Sequence, residues 1–207
     1  MINEFEKYLS KNETLISIKN RRSTREFTDQ QVSDEDIQTI LCAANQAPSA
    51  HNQQSWKFII LKGERKNDLA NFVCSKAKDF PRPSSILLRM ASRSIASAPV
   101  AIAVVNTGEL MQRGTELFKV DKNKAYDFFR IMEIQSSAAA VQNLMLAACS
   151  IGLASVWLGI LVLVTKEVLH FFGEPDGEFM AIIPVGYALK SGKGPLKKPL
   201  EQVVKYL

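Results

Sequence analysis

The sequence predicts a mixed helix-and-sheet fold, α/β or α+β, with a parallel or mixed sheet wrapped by helices. Three observations carry that expectation. Helix-patterned and strand-patterned segments interleave along the chain, with no internal repeat or low-complexity tract. A run without a charged side chain, Ile134 to Thr165, lies between Glu133 and Lys166 and supplies the apolar interior on which the rest must pack. At 207 residues, 46% hydrophobic and 23% charged, the chain is long enough to bury a sizeable core as one domain.

The elements follow in order. Asn3 to Leu9 and Thr14 to Asn20 carry short helical patterns, the second opening after Asn12 or at Thr14, and lead into the basic segment NRRSTREF. Ser33 is placed to cap a helix over SDEDIQTILCAANQA. Acids fill its first turn, where they face the positive end of the helix, and Ile37, Ile40, Leu41 and Ala44 share one face. Pro48 ends it. SWKFIILK reads as a strand and GERKNDLANFVCSKAK as a helix turning Leu69, Phe72 and Val73 inward. PRPSS breaks the pattern. A helix over Ile86 to Ala98, with Arg89 and Arg93 one turn apart, then precedes the strand PVAIAVVN. From Thr107 to Asn123 neither period holds, so this polar excursion is the expected mobile segment or lid, with helix resuming near Lys124.

The charge-free run divides in two. IQSSAAAVQNLMLAACSIG repeats Val141, Leu144, Met145 and Ala148 at helical steps, and Gly152 is placed to close the end. Its small residues, Ser136 to Ala140, let another helix approach closely, from this chain or another subunit. LASVWLGILVLV is β-branched and aromatic in parts and fits a strand followed by an apolar loop. A bilayer span needs about 20 apolar residues. Here Gln135, Ser136, Ser137, Gln142 and Asn143 sit in the first half, and Gly152 and Gly159 interrupt the run, so no membrane partner is expected. Downstream, Thr165 is placed to cap KEVLHFFG, Gly173 and Pro175 stop it, EFMAIIPVGYAL is the last strand, and the tail GKGPLKKPLEQVVKYL follows.

The formal net charge is +5, yet Lys and Arg are spread with no dense block, which favours a small anionic ligand over nucleic acid. Cys42, Cys74 and Cys149 are odd in number and far apart, with no C-x-x-C, so neither a disulfide framework nor a zinc site is expected. A reducing, cytoplasmic setting fits. The start, MINEFEKYLSKNE, has no apolar signal region, so export is not expected.

Four segments can serve a ligand. Arg21, Arg22, Ser23 and Arg25 offer planar N–H forks and a hydroxyl, a donor set suited to phosphate, with a solvated basic turn as the plain alternative. APSAHNQQSW brings Pro48, Ser49, Asn52, Gln54 and the flat face of Trp56 into one loop, suited to a polar heteroaromatic ring or to a structural bend. VWLGI places Gly159 where backbone can approach a ligand, although core packing explains it equally. Lys197 and Lys198 can complete a phosphate site or stay solvated. His51 and His170 are too few and too far apart for a metal site or a triad, and no G-x-S-x-G, P-loop or G-x-G-x-x-G is present. An enzyme of this sequence must leave the reaction to a cofactor.

RRSTREF, APSAHNQQSW, AAAVQNLMLAA, GLASVWLG, IIPVGYA and KKPLEQVV stand in the order and approximate spacing of the FMN-dependent nitroreductase family, which the chain resembles from about Ile18 to Val204. The resemblance implies an α+β, three-layer sandwich with a central, mostly antiparallel sheet flanked by helices. It also implies a long helix through a homodimer interface, termini swapped between subunits, and FMN between the two chains. It places Arg21 and Ser23 at the FMN phosphate with Arg22 beside them, Arg25 near the ribityl chain or pyrimidine edge, and Lys197 as a terminal basic residue on the phosphate. Pro48, Ser49, Ala50, Asn52 and Gln54 would reach the ring from the other subunit, and Trp157, Leu158 and Gly159 would line its opposite side through backbone groups.

Two motifs depart from the family. The common Q-P-W reads Gln54-Ser55-Trp56, and the acid before the central helix motif is Ser136 or Ser137. The implied activity is transfer of electrons from NAD(P)H through flavin to a nitroaromatic, quinone or similar acceptor, in a ping-pong cycle. The alternatives are another flavin reaction on the same fold, dehalogenation or flavin fragmentation, and a non-catalytic flavin sensor.

Overall fold

The structure is a computed structural model that describes residues 4–117, 121–190, 192, 194, 195 and 197–207. After a 3-10 turn over Glu4–Ser10, helix α1 (Glu13–Asn20) is capped by Asn12, whose side chain accepts from Leu15 N. Helix α2 (Asp34–Asn45) is capped by Ser33, whose Oγ accepts from Asp36 N at 3.0 Å, and it buries Ile37, Ile40 and Ala44 as the pattern predicts. Then come β1 (Trp56–Lys62), α3 (Gly63–Lys76), α4 (Arg82–Ser97), β2 (Val100–Asn106), α5 (Glu109–Leu117) and α6 (Lys122–Ser150). The chain continues with β3 (Ala154–Ser155), α7 (Thr165–Phe172) and β4 (Glu178–Gly186).

The sheet runs β1-β2-β4-β3, and every strand pair is antiparallel. This overturns the parallel or mixed sheet expected from the interleaving and agrees with the sheet the resemblance implies. The connections explain it. One crossover helix returns the chain for parallel pairing, whereas α3 and α4 in succession add a reversal and bring β2 back against β1.

The period of two along β2 sorts its side chains to opposite faces. Val100, Ile102 and Val104 pack with Ile37 and Ile40 of α2 and Val141, Leu144 and Met145 of α6. Ala101, Ala103 and Val105 pack with Leu69 and Val73 of α3, Leu88 and Ile95 of α4, and Val168 and Leu169 of α7. The result is three layers, helix on sheet on helix. At one edge, β1 keeps its charged ends exposed at Lys57 and Lys62, which discourages pairing with another chain.

Several expected boundaries move. PRPSS is the entry of α4, not a gap before it, because proline is tolerated in a first turn. The expected irregular excursion holds α5 and the start of α6, and its residues 118–120 lie outside the described residues. The strand expected in LASVWLGILVLV shrinks to Ala154–Ser155, followed by a 3-10 turn over Ile160–Val164. Thr165 lies inside α7 and does not cap it; its Oγ1 donates to Val162 O at 2.8 Å. Gly152 closes α6 as predicted, at φ +83°, with Leu153 N donating back to Ala148 O at 2.8 Å. Among the described residues no helix is long and apolar enough to cross a membrane.

Candidate functional site

The segment after α1 runs as an extended strip along the sheet edge that β3 leaves short. Ser23 bridges Ser155, Thr24 N donates to Ser155 O at 3.0 Å, and Phe27 bridges Ala188 beyond β4. Gly186 makes room for the strip, since a Cβ there would lie 2.5 Å from Pro99 Cδ and 3.2 Å from Phe27. The strip presents half-buried Arg21 and exposed Ser23 and Arg25. Arg22 is engaged otherwise: its Nη1 donates to Arg21 O at 2.8 Å and to Lys19 O, closing the C-terminal end of α1. The tail passes directly over Arg22 at Gly194, where a Cβ would lie 2.7 Å from Arg22 Cδ and Nε, and Lys197, three residues on, is exposed.

Two residues past β3 the chain reaches Trp157, Leu158 and Gly159, so the strip and the apolar turn share one sheet edge. Leu158 is committed to that sheet. Its N donates to Ile182 O and its O accepts from Ile182 N, at 2.9 and 3.1 Å, and its side chain is buried in the core. The expectation that its backbone reaches a ligand is thus not met, whereas the flanking amides of Trp157 and Gly159 stand outside that pairing.

The loop from Pro48 to Gln54 is built on the middle of α6. Ala50 N donates to Ser136 Oγ at 3.1 Å, and Ser49 Oγ accepts from Gln54 N at 3.1 Å. His51, Asn52 and Gln54 all have φ near +53°, the left-handed region that side chains other than glycine enter at a cost. Three such residues within four positions mark a loop held for more than a bend. Trp56 is not a ligand face: it is buried against Ala47 and Ala140, and its Nε1 donates to Asn45 Oδ1 at 3.1 Å.

One chain does not bring these halves together. The strip lies by the C-terminal end of α6, where Arg21 and Arg22 act electrostatically on Cys149, while the loop sits at Ser136. Thirteen residues of helix separate Ser136 from Cys149, about 20 Å at 1.5 Å per residue. Burial pushes the Cys149 thiol up, and the two arginines pull it the other way. A surface groove between α3 and α7, lined by Phe72, Lys76, Lys166, Glu167, His170 and Phe171, contains none of the expected site residues.

The donor chemistry of the strip fits a phosphate ester. Among the described residues no carboxylate pairs with Arg21, Arg25 or Lys197, so these cations keep their charge free for an anion. No three His, Cys, Asp or Glu side chains gather as a metal-ligand set among the same residues. The sequence reading missed one group, Glu133, which is fully buried on α6 and accepts from Leu110 N at 2.7 Å. Its signal was its position as the last charge before the apolar run.

The whole assembly has counterparts of known sequence and structure. A family-wide profile described as the Nitroreductase family matches residues 18–187. An Archaeoglobus fulgidus protein, provisionally named an NADH dehydrogenase/NAD(P)H nitroreductase, is 32% identical over 148 residues, 72% of this chain and 68% of its own. The crystal structure of a nitroreductase with bound FMN from Desulfitobacterium hafniense is similar at 26% identity and a TM-score of 0.70, covering 95% of this chain and 98% of the other. That of a BluB-like flavoprotein from Clostridium difficile is similar at 26% and 0.71, covering 93% and 97%. The sheet order, the strip along its short edge and the match over residues 18–187 lead to one conclusion: the chain belongs to the nitroreductase family.

Proposed function

We propose that this oxidoreductase holds FMN at a site shared by two copies of the chain and moves electrons from NAD(P)H to a small electron-poor acceptor, a nitroaromatic or quinone, in a ping-pong cycle. The observation that carries the reading is the cationic set on the sheet-edge strip, Arg21 and Arg25 with Ser23, which has no carboxylate partner among the described residues and lies beside the Trp157 and Gly159 amides. When bound, FMN supplies the redox chemistry, two electrons in and two electrons out. The chain supplies binding and electrostatics.

Arg21, Ser23 and Lys197 would hold the phosphate, and Arg25 would add a positive charge that favours a bound group gaining electron density. Arg22 supports this indirectly, by fixing the end of α1 from which the strip departs. Ser49, Ala50, Asn52 and Gln54, stiffened by Pro48, would be presented by the second copy. The separation of about 20 Å along α6 supports that division, because the loop and strip of one chain do not meet. An exposed apolar stripe on α6, with Phe128 52% and Ile131 51% exposed, and the exposed Leu200, Val203 and Tyr206 of the tail support a homodimer with exchanged ends. All 207 residues would then serve one FMN-binding unit. Cys42, Cys74 and Cys149 are free thiols, which suits action in the reducing cytoplasm.

The test is an absorption spectrum of the purified protein followed by anaerobic addition of NADH and then NADPH. A flavin spectrum that bleaches on mixing is expected. A bound flavin that does not bleach points to a sensor, and a colourless protein that takes up no FMN overturns the reading. For flavin-free protein, FMN at a hundred times its Kd adds about 2.7 kcal/mol to the folded state. That appears as a rise in melting temperature of roughly 5–10 °C for a chain of this size.

A further inference from the structure

Across the sheet from α6, helix α4 turns Leu88, Ala91 and Ile95 into the core and leaves two stripes of long side chains in solvent. At about 3.6 residues per turn, Arg82, Arg89 and Arg93 fall along one stripe, and Ile86, Leu87 and Met90 lie beside them. The cations are uncommitted. Among the described residues no carboxylate pairs with any of the three, and no Asp or Glu occurs in the sequence between Asp79 and Glu109. The 3-10 turn Ile160–Val164 packs against α4 and shares its core through Leu161 and Val164. Its other side chains, Val162 and Leu163, are exposed.

Five exposed aliphatic side chains on adjoining elements, with three arginines beside them, mark a contact surface. Its chemistry selects the partner. Arginine forks fit phosphate oxygens and aliphatic chains fit hydrocarbon, so a layer of phosphate over acyl chains satisfies both stripes at once. A protein partner matches less well, because the hot spots of protein interfaces are dominated by Trp, Tyr and Arg seated in pockets. None of the five apolar side chains is aromatic, and the groove on this layer, between α3 and α7, includes none of them. The net charge of +5 adds a general attraction to an anionic surface. The expectation of no membrane partner came from the lack of a span, and among the described residues no helix is long and apolar enough to cross a bilayer. Lying on one needs only an apolar face with cations beside it.

We propose that α4 and the 160–164 turn dock the protein on an anionic bilayer surface, with the three arginines on lipid phosphates and the five aliphatic side chains at the acyl boundary. Because α6 lies on the other side of the sheet, docking here does not compete with a dimer built on α6. The contact involves neither the sheet-edge strip nor the 48–54 loop, so it stands or falls apart from the redox reading.

Flotation of the purified full chain with vesicles of phosphatidylcholine and phosphatidylglycerol in equal parts, against vesicles of phosphatidylcholine alone, tests it. Binding to the mixed vesicles is expected, with little to the neutral ones and a steady loss as salt screens the charges. Arg89→Gln should weaken it by about fivefold, and Arg89→Gln with Arg93→Gln by about 25-fold, at about 1 kcal/mol for each basic residue near an anionic surface. Leu87→Gln with Met90→Gln keeps every charge and should weaken it by about tenfold through lost apolar contact. All four positions are exposed, so the melting temperature should stay native, which separates lost contact from lost fold. A chain that ignores the mixed vesicles overturns the proposal, and if it also forms an oligomer that Leu87→Gln with Met90→Gln breaks, the face belongs to a second copy of the chain. Native binding by the variants overturns it too, by moving the contact to another basic surface such as the Arg21 strip. Equal binding to neutral vesicles removes the arginines from the contact and overturns the docking as stated.

Discussion

Arg21→Ala should weaken FMN binding by about 10- to 150-fold, the equivalent of the roughly 1.5–3 kcal/mol net of a charge-assisted hydrogen bond. Arg21 is chosen because it is half-buried and has no carboxylate partner among the described residues, so its charge is both partly desolvated and uncommitted. Arg22 is a poor substitute for the test. Its guanidinium already serves the carbonyls of Lys19 and Arg21, and removing it would disturb α1 as well as any ligand. Titration of flavin-free protein with FMN, followed by quenching of flavin fluorescence, gives the affinity. Melting of the same flavin-free protein should be unchanged, and a native affinity in the variant would remove Arg21 from the phosphate site.

Leu144→Ala should cost about 2–5 kcal/mol of stability. Leu144 is fully buried where α6 meets α2 and both central strands, and it lies in the layer that aligns the loop-bearing middle of α6 with its strip-bearing end. For a chain of this length each kcal/mol moves the melting temperature by roughly 2–4 °C, so a drop of about 4–20 °C is expected in differential scanning calorimetry. Ile86→Ala provides the contrast. Ile86 is 47% exposed on α4, so its loss should leave the fold almost unchanged. A small effect at Leu144 would mean that the α6 layer repacks far more freely than its burial indicates.

What was legible in the sequence was mostly what local chemistry decides. Ser33 as a cap, the buried face of α2, Gly152 at the end of α6 and the apolar run Val100 to Val105 of β2 each follow from propensity or period within one element. The sheet direction was misread because interleaving alone does not count helices. PRPSS looked like a break between elements, whereas it is where α3 gives way to α4, and two helices in succession are what make β1 and β2 antiparallel. The stretch after Leu153 was misread for another reason. Its aliphatic residues mark burial, which Leu161 and Val164 confirm, but a 3-10 turn buries them as well as a strand does.

The candidate site divides the same way. The basic turn and the 48–54 loop stood out by composition. That Leu158 spends both backbone groups on Ile182, that Arg22 closes α1 and that Trp56 is core depended on contacts far apart in sequence. Glu133 was invisible as anything but a boundary, since its partners at residues 55, 110 and 178 gather only through the fold.

The spacing along α6 also has a genetic consequence. In a symmetric dimer whose two sites each take the strip from one chain and the loop from the other, a chain altered only at Arg21 and a chain altered only in the 48–54 loop are both defective alone. Paired with each other, they place both lesions in one site and leave the second built entirely of native residues. Co-expressed in equal amounts with random pairing, they should restore about a quarter of the wild-type sites, so two inactive alleles would complement within a single gene product.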